Sequence, residues 1–272
     1  MGLRVNTNIA SLTAQRNLSS VSGRLTGNFS KLSSGLRVAN AADDAAGLGI
    51  SERMRSQIRS LGAAGRNAQD GISLVQTAEG ALNEGSNILS RMRELAVQAS
   101  NGTLSTDDRN TIDAEVQALV SELGRISDST TFNGVNLLDG TSTTASIQVG
   151  INDGETIDVG LEDTSTATLG VNSLDVTTAS NASSALADID DAIDVLNSAR
   201  GNLGAVQNRL TSAYTSIQNS RENLSAAESR IRDVDVAMET ADLTRNSILQ
   251  QAAVSVLSQA NVQPQLALRL LQ

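Results

Sequence analysis

The 272-residue chain has no cysteine, no histidine and no tryptophan, and only one tyrosine, two phenylalanines and one proline. Without cysteine or histidine it cannot supply the usual ligand sets for zinc, haem or iron–sulfur centres, a Cys–His nucleophile or a Ser-His-Asp triad. The lack of cysteine also means that no redox compartment is required, and that the chain can be exported unfolded without disulfide mispairing. Aromatic residues make up 1% of the sequence, so its 39% hydrophobic content must build a thin core of Leu, Ile, Val and Ala. Helices packed along stripes suit such a core better than a thick globule. Basic charge is also short: the formal net charge is −10, which argues against nucleic acid as a partner because phosphate neutralisation supplies that affinity. No 18-residue apolar run offers a membrane span, and "MGLRVNTNIASL" lacks a secretory h-region. The absence of Ser or Thr at position 6 excludes a myristoylation signal. The chain therefore reads as cytosolic, or as exported without a cleaved signal.

The strongest positive pattern lies in the second half. Every seventh residue from Ile189 is apolar: Ile189, Leu196, Leu203, Leu210, Ile217, Leu224, Ile231 and Met238. Three positions after the first seven stand Ala192, Ala199, Val206, Ala213, Ser220, Ala227 and Val234. Large residues at one seam position and small ones at the other predict a rod of roughly 75 Å that needs a close helical neighbour. Ile58 to Ala99 supplies a second helical pattern and Ile112 to Ile126 a third, with Ser105 or Thr106 as its cap. The three predict an antiparallel bundle joined by short turns.

Between about 132 and 184 the helical period gives way to Thr, Ser, Gly, Asp and Asn. Ile147, Val149 and Ile151, then Ile157, Val159 and Leu161, alternate with polar residues around Asp153-Gly154, which predicts an exposed β-hairpin. Both chain ends carry amphipathic stripes. One runs through Leu18, Val21, Leu25, Phe29, Leu32 and Leu36; the other includes Ile248, Leu249, Ala252, Ala253, Val256, Leu257 and Ala260, before Pro264 interrupts the pattern. The fold class is thus mainly α: a long antiparallel bundle or coiled coil from both chain halves, with a small central β region. The ends should meet and leave apolar faces for further partners.

Candidate chemistry is sparse. Asp43 and Asp44 are adjacent, but neighbouring helical residues point about 100° apart, and no third carboxylate joins them. A helix start or hinge accounts for them better than a metal or catalytic site, although carboxylate hydrolysis stays as the enzyme reading. "DIDDAID" (188–194) fails as a calcium loop, since Ile193 and Ala199 occupy the glycine and glutamate positions; acidic residues in the first turn of a long helix explain it instead. Glycines in "GLGISE" and "GRNAQDG" fit no phosphate-binding fingerprint. In "SRMRELAVQ" Arg91 and Leu95 stand four apart on one helical face, so the surface is either a solvated ion-pair face or a subunit contact.

Several segments together resemble the bacterial flagellins: "KLSSGLRVANAADDAAGLGIS" (31–51), "NAQDGISLVQTAEGALNE" (67–84), "RMRELAVQAS" (91–100), "TFNGVNLLDG" (131–140), "LGAVQNRL" (203–210), "ENLSAAESRIRDVDVA" (222–237) and "ILQQAAVSVLSQANVQPQ" (248–265). They occur in family order and cover nearly all of the chain outside the β region. Gly49 replaces the family's common alanine, and Ser90-Arg91-Met92 its common Gln-Arg-Val.

The resemblance implies a non-enzymatic structural subunit of a helical filament used for motility, with no cofactor or metal. It implies an inner terminal domain from 1–46 and 235–272 and an outer helical domain at 47–234, with Asp43 and Asp44 in the connector. It further implies that the terminal segments are disordered before assembly. Leu18, Val21, Leu25, Leu32, Ile248, Leu249, Val256 and Leu257 become terminal-domain packing and chaperone-binding residues. The expected partners are other copies of the chain, a flagellar export chaperone and type III export apparatus, and the filament cap and hook-junction proteins. Arg91, Leu95 and Glu115 map to positions recognised by an innate immune receptor of animals. Neither nucleic acid binding nor membrane insertion is implied, and the location is extracellular, on the flagellum. A hook–filament junction protein or a secreted coiled-coil adhesin is the alternative.

Overall fold

The computed structural model describes residues 7–269, with side chains as far as residue 262. Residues 1–6 and 270–272, the outermost parts of the two terminal segments, lie outside the described residues, as does position 6 of the myristoylation reading. The elements are α1 (Ile9–Ser34), α2 (Ala45–Ala99), α3 (Thr106–Ser129), β1 (Thr131–Phe132), β2 (Val135–Asn136), β3 (Thr144–Gln148), β4 (Thr156–Gly160), α4 (Ala179–Arg232) and α5 (Val236–Arg269). The mainly helical fold with a small central β region is as the sequence predicts. Contacts divide the chain into a terminal unit, Met1–Ser56 with Asn223–Gln272, and a central unit, Gln57–Glu222.

In the central unit the heptad row of α4 faces inward, with Ile189, Leu196 and Leu210 fully buried and Ala192 and Ala199 between them. Leu82, Leu89 and Met92 of α2 and Val116 and Leu123 of α3 complete the core. Close approach depends on glycine at two points. A Cβ on Gly71 would lie 3.2 to 3.3 Å from Ile147 and Leu210, and one on Gly85 3.2 to 3.3 Å from Leu196 and Leu123. Gly65 lies beside Ile217, so α2 and α4 run antiparallel. Ser105 caps α3 through a reciprocal capping box with Asp108, which satisfies orphan donors at the helix start.

Several expectations need correction. The rod ends at Arg232, and Met238 belongs to α5, because backbone near 232–234 is taken up by pairing with residues 35–38. Helix α4 begins at Ala179, so Asp188–Asp194 sit well inside it and no acidic residue occupies its first turn. Their effect on the helix dipole is therefore weak. Helix α5 continues past Pro264 to Arg269, since one proline removes a single ladder hydrogen bond.

The β region is also less exposed than expected. The predicted hairpin forms with Ile147 opposite Ile157 and Gln148 opposite Thr156, and Gly154 has φ 80°. A second hairpin, β1–β2, turns through Asn133 and Gly134 at φ 49° and 80°, the positive-φ pair of a tight two-residue loop. Leu137, Val159, Val171 and Val176 are buried against the helices. Side chains tie the region down: Gln117 Nε2 donates to the Leu174 carbonyl at 2.7 Å, and Ser127 Oγ to the Leu138 carbonyl at 2.8 Å.

Candidate assembly surface

The terminal unit is built on α1 and α5. Asn8 caps α1 by accepting from the Ser11 amide at 3.1 Å, and Gly35 closes it at φ 71°. Asp235 caps α5, its Oδ1 accepting from the amides of Ala237 (3.0 Å) and Met238 (3.2 Å). The two helices pack antiparallel. Asn8 Nδ2 donates to the Ala260 carbonyl at 2.8 Å, and Ser11 Oγ to Asn261 Oδ1 at 2.8 Å. Near the other end Asn246 Nδ2 donates to Asn28 Oδ1 at 2.9 Å, and Asn28 Nδ2 to Glu239 Oε1 at 2.5 Å.

On α1 the residues turned toward the partner are Ser11, Ala14, Leu18, Val21, Leu25, Asn28 and Leu32, a three–four alternation. On α5 the corresponding row is Glu239, Leu243, Asn246, Gln250, Ala253, Leu257 and Ala260. This is a two-helix seam with polar residues at several seam positions. The sequence pattern misplaced it by one position at Phe29, which is 57% exposed while Asn28 is buried. Of the eight terminal residues singled out from the sequence, Val21 is buried and Leu18, Leu25, Leu32 and Leu257 are half-buried in the seam. Ile248, Leu249 and Val256 are 61%, 43% and 59% exposed. Alpha-helical geometry puts Leu249 and Val256 roughly 70° to 90° around α5 from the middle of the seam and Ile248 nearly opposite it, spread along a second apolar face. An open groove of about 320 Å³ runs beside the seam, lined by Ala14, Val21 and Arg24 of α1 and Leu249, Ala252 and Val256 of α5. Its walls are mostly apolar, with Arg24, Asn17 and Ser20 as the polar exceptions, so it suits another helix better than a polar substrate.

The connector, residues 35–44, lies in the same unit and is held by its own chain's far half. Leu36 and Asp233 form an isolated antiparallel bridge. The Arg37 amide donates to the Arg232 carbonyl at 2.6 Å, and the Val234 amide to the Gly35 carbonyl at 3.0 Å. Arg37 Nη2 donates to the Ile231 carbonyl at 2.7 Å. Asp43 and Asp44 do not converge. Asp43 Oδ2 accepts from the amides of Ala39 (3.1 Å) and Asn40 (2.9 Å), whereas Asp44 Oδ1 accepts from the Gly47 amide at 2.9 Å and so caps α2. Beside them Arg232 Nη1 meets Glu52 Oε1 at 2.6 Å and Arg55 Nη1 meets the same oxygen at 3.1 Å. The hydrogen bond from Arg232, then that from Arg55, holds the Glu52 carboxyl below its usual range. Among the described residues no three metal-capable side chains cluster.

In the central unit Arg91 and Glu115 do come together. Arg91 donates to Glu115 Oε1 through Nε at 3.2 Å and Nη2 at 2.9 Å, and to Glu94 Oε2 through Nη1 at 3.0 Å. Both partners raise the Arg91 pKa, Glu115 more than Glu94. Leu95 is 2% exposed, inside the core that includes Ile112 and Val116 of α3, and so lies beneath that surface.

Residues 5–143 match the bacterial flagellin N-terminal helical region and residues 186–271 the bacterial flagellin C-terminal helical region. The chain is 49% identical over 270 residues to a flagellin of Halalkalibacterium halodurans, covering 98% of this chain and 99% of that one. It is 47% identical over 304 residues to a flagellin of Bacillus subtilis, covering 99% and 100%. The crystal structure of Bacillus cereus flagellin superposes with a TM-score of 0.52 at 34% identity, covering 60% of this chain and 94% of that one.

Proposed function

The chain belongs to the bacterial flagellin family, and from that premise we propose that the open face of α1 and α5 is the surface through which one copy joins the next. The protein is a structural subunit that polymerises into the helical filament of the bacterial flagellum. A helical polymer needs a heterologous contact that repeats without closing. The observation that carries the proposal is the second apolar face of α5, Ile248, Leu249 and Val256, left uncovered beside the groove while the first face is covered by α1. Burying it against another copy removes apolar area from water, with a gain that exists only in the polymer.

The finer assignments follow from the same reading. Residues 1–46 and 235–272 form the inner domain and 47–234 the outer one. Asp43 and Asp44 fix the connector between them, one folding it back on itself and the other starting α2. Before assembly an export chaperone covers the exposed α5 face, the type III apparatus carries the chain outside the cell, and cap and junction proteins bound the filament. Arg91 and Glu115, with Leu95 supporting them from beneath, form the surface offered to an animal innate immune receptor. No enzymatic role is assigned.

A chain lacking residues 235–272 tests the central point. The expected result is a folded central unit, seen as a cooperative helical melting transition, with no filaments in electron micrographs. Filaments from that truncated chain would overturn it.

A further inference from the structure

The chain has four methionines, of which Met1 lies outside the described residues. The other three sit in unlike surroundings. Met92 is fully buried in the core of the central unit, Met54 is half-buried on α2, and Met238 is 69% exposed in the first turn of α5. In a chain without cysteine the thioether is the group most open to oxidation, and a buried one is shielded from it. Met238 is therefore the side chain that a dissolved oxidant meets first.

Its place on the helix is fixed. Asp235 Oδ1 accepts from the Met238 amide at 3.2 Å and from the Ala237 amide at 3.0 Å, a cap that holds the residue in the first turn. At about 100° per residue, Val256 falls about five whole turns further on and so at the same angle around α5, while Leu249 falls within about 20° of it. Those two line the open groove beside the α1–α5 seam. Met238 thus extends the groove side of α5 toward its start, about 16 Å before Leu249 along the axis. The Asp242–Arg245 ion pair, at 2.9 Å, occupies the same side in between, which leaves Met238 as the large apolar side chain at that end.

We propose that Met238 is a site of oxidation in the free subunit, and that its sulfoxide hinders the joining of the next copy. The inference rests on the reading of the groove side of α5 as assembly surface and adds a chemical control to it. A two-electron oxidant of the peroxide class supplies the oxygen. The sulfur lone pair attacks one oxygen of hydrogen peroxide, the O–O bond breaks, an S–O bond forms and water leaves; sulfur is oxidised and the peroxide reduced. The sulfoxide oxygen is a polar acceptor. Water satisfies it on the free subunit, whereas an apolar neighbour does not. The same contact shields the thioether once the copy has joined, so oxidation acts before assembly and not after it.

Limited hydrogen peroxide treatment of the full-length monomer, followed by peptide mass mapping and seeded sedimentation, tests it. Met238 should gain oxygen several-fold faster than Met54 or Met92 in the monomer, and more slowly in grown filaments. Oxidised wild type should need a critical concentration about tenfold or more above the untreated chain, as an unpaired buried acceptor implies. Methionine sulfoxide reductases for both epimers should restore it. Met238→Leu, judged against its own untreated value, should be unchanged by peroxide. Oxidation of Met54 ahead of Met238, an unchanged critical concentration for the oxidised wild type, or an equal loss in treated Met238→Leu would overturn the proposal. So would a helical melting transition of the oxidised monomer lowered as much as its assembly, which would place the damage in the fold. Normal assembly of a Leu249→Ser, Val256→Ser double variant refutes the assembly-surface reading instead, and untreated wild type that forms no filaments refutes the filament reading; both are distinct from the outcomes above.

Discussion

Leu249 and Val256 distinguish a surface kept for assembly from one that merely escapes burial. Full burial of a Val or Leu side chain is worth about 1.5–3 kcal/mol relative to exposure. These two are already partly covered, 43% and 59% exposed, so what a neighbouring copy can still bury is roughly half of that, about 0.75–1.5 kcal/mol each. Replacing both with serine should therefore remove about 1.5–3 kcal/mol per subunit from assembly, a rise in critical concentration of about ten- to 150-fold. The monomer should barely change, because neither side chain lies in the α1–α5 seam and exposed substitutions usually shift stability by less than about 0.5 kcal/mol. Sedimentation of seeded polymer at a series of protein concentrations gives the first quantity, and chemical denaturation of the monomer the second. An unchanged critical concentration, or a loss of monomer stability as large as the loss of assembly, refutes the reasoning.

Other perturbations act on different layers. Leu210→Ala should destabilise the central unit by about 2–5 kcal/mol in calorimetry, since Leu210 is fully buried against Gly71. Gly71→Ala should cost about 1–3 kcal/mol by the same measurement, as Ile147 and Leu210 must shift to admit a Cβ. Asp44→Ala should cost about 1 kcal/mol through loss of the α2 cap, read as faster amide exchange at Gly47 and Leu48. The Glu52 carboxyl titrates below its ordinary value, so its bonds to Arg232 and Arg55 add stability above the unfolded pKa of about 4.3 and lose it as pH falls through the lower folded value. Glu52→Gln should flatten that acid limb in a pH series of melting temperatures.

What the sequence made legible follows from side-chain chemistry. The α4 row could be read because its large seam position is apolar at seven successive heptads, the first four of them buried in the core shared with α2 and α3. The terminal seam was only half legible, since Ser11, Asn28, Asn246 and Gln250 occupy seam positions that hydrophobic periodicity discards. The same blind spot merged two faces of α5 into one stripe: Leu257 and Ala260 sit in the seam with α1, whereas Leu249 and Val256 line the open groove beside it. The break at Arg232 had no local signal, because it depends on pairing with Leu36 and Arg37 nearly two hundred residues away. The β1–β2 hairpin was missed for a different reason. Its strands are two residues long, too short for alternation to show, although Asn133-Gly134 is itself a turn signal. Leu95 stood four residues from Arg91, a spacing that shares a helical face without saying how far α3 covers it.

The most direct test of the assembly surface is a helical reconstruction of filaments grown from the full-length chain by electron cryomicroscopy. The account predicts that Ile248, Leu249 and Val256 lie against a neighbouring copy with the groove between α1 and α5 filled. A filament in which those side chains face solvent, and copies join only through their central units, would contradict it.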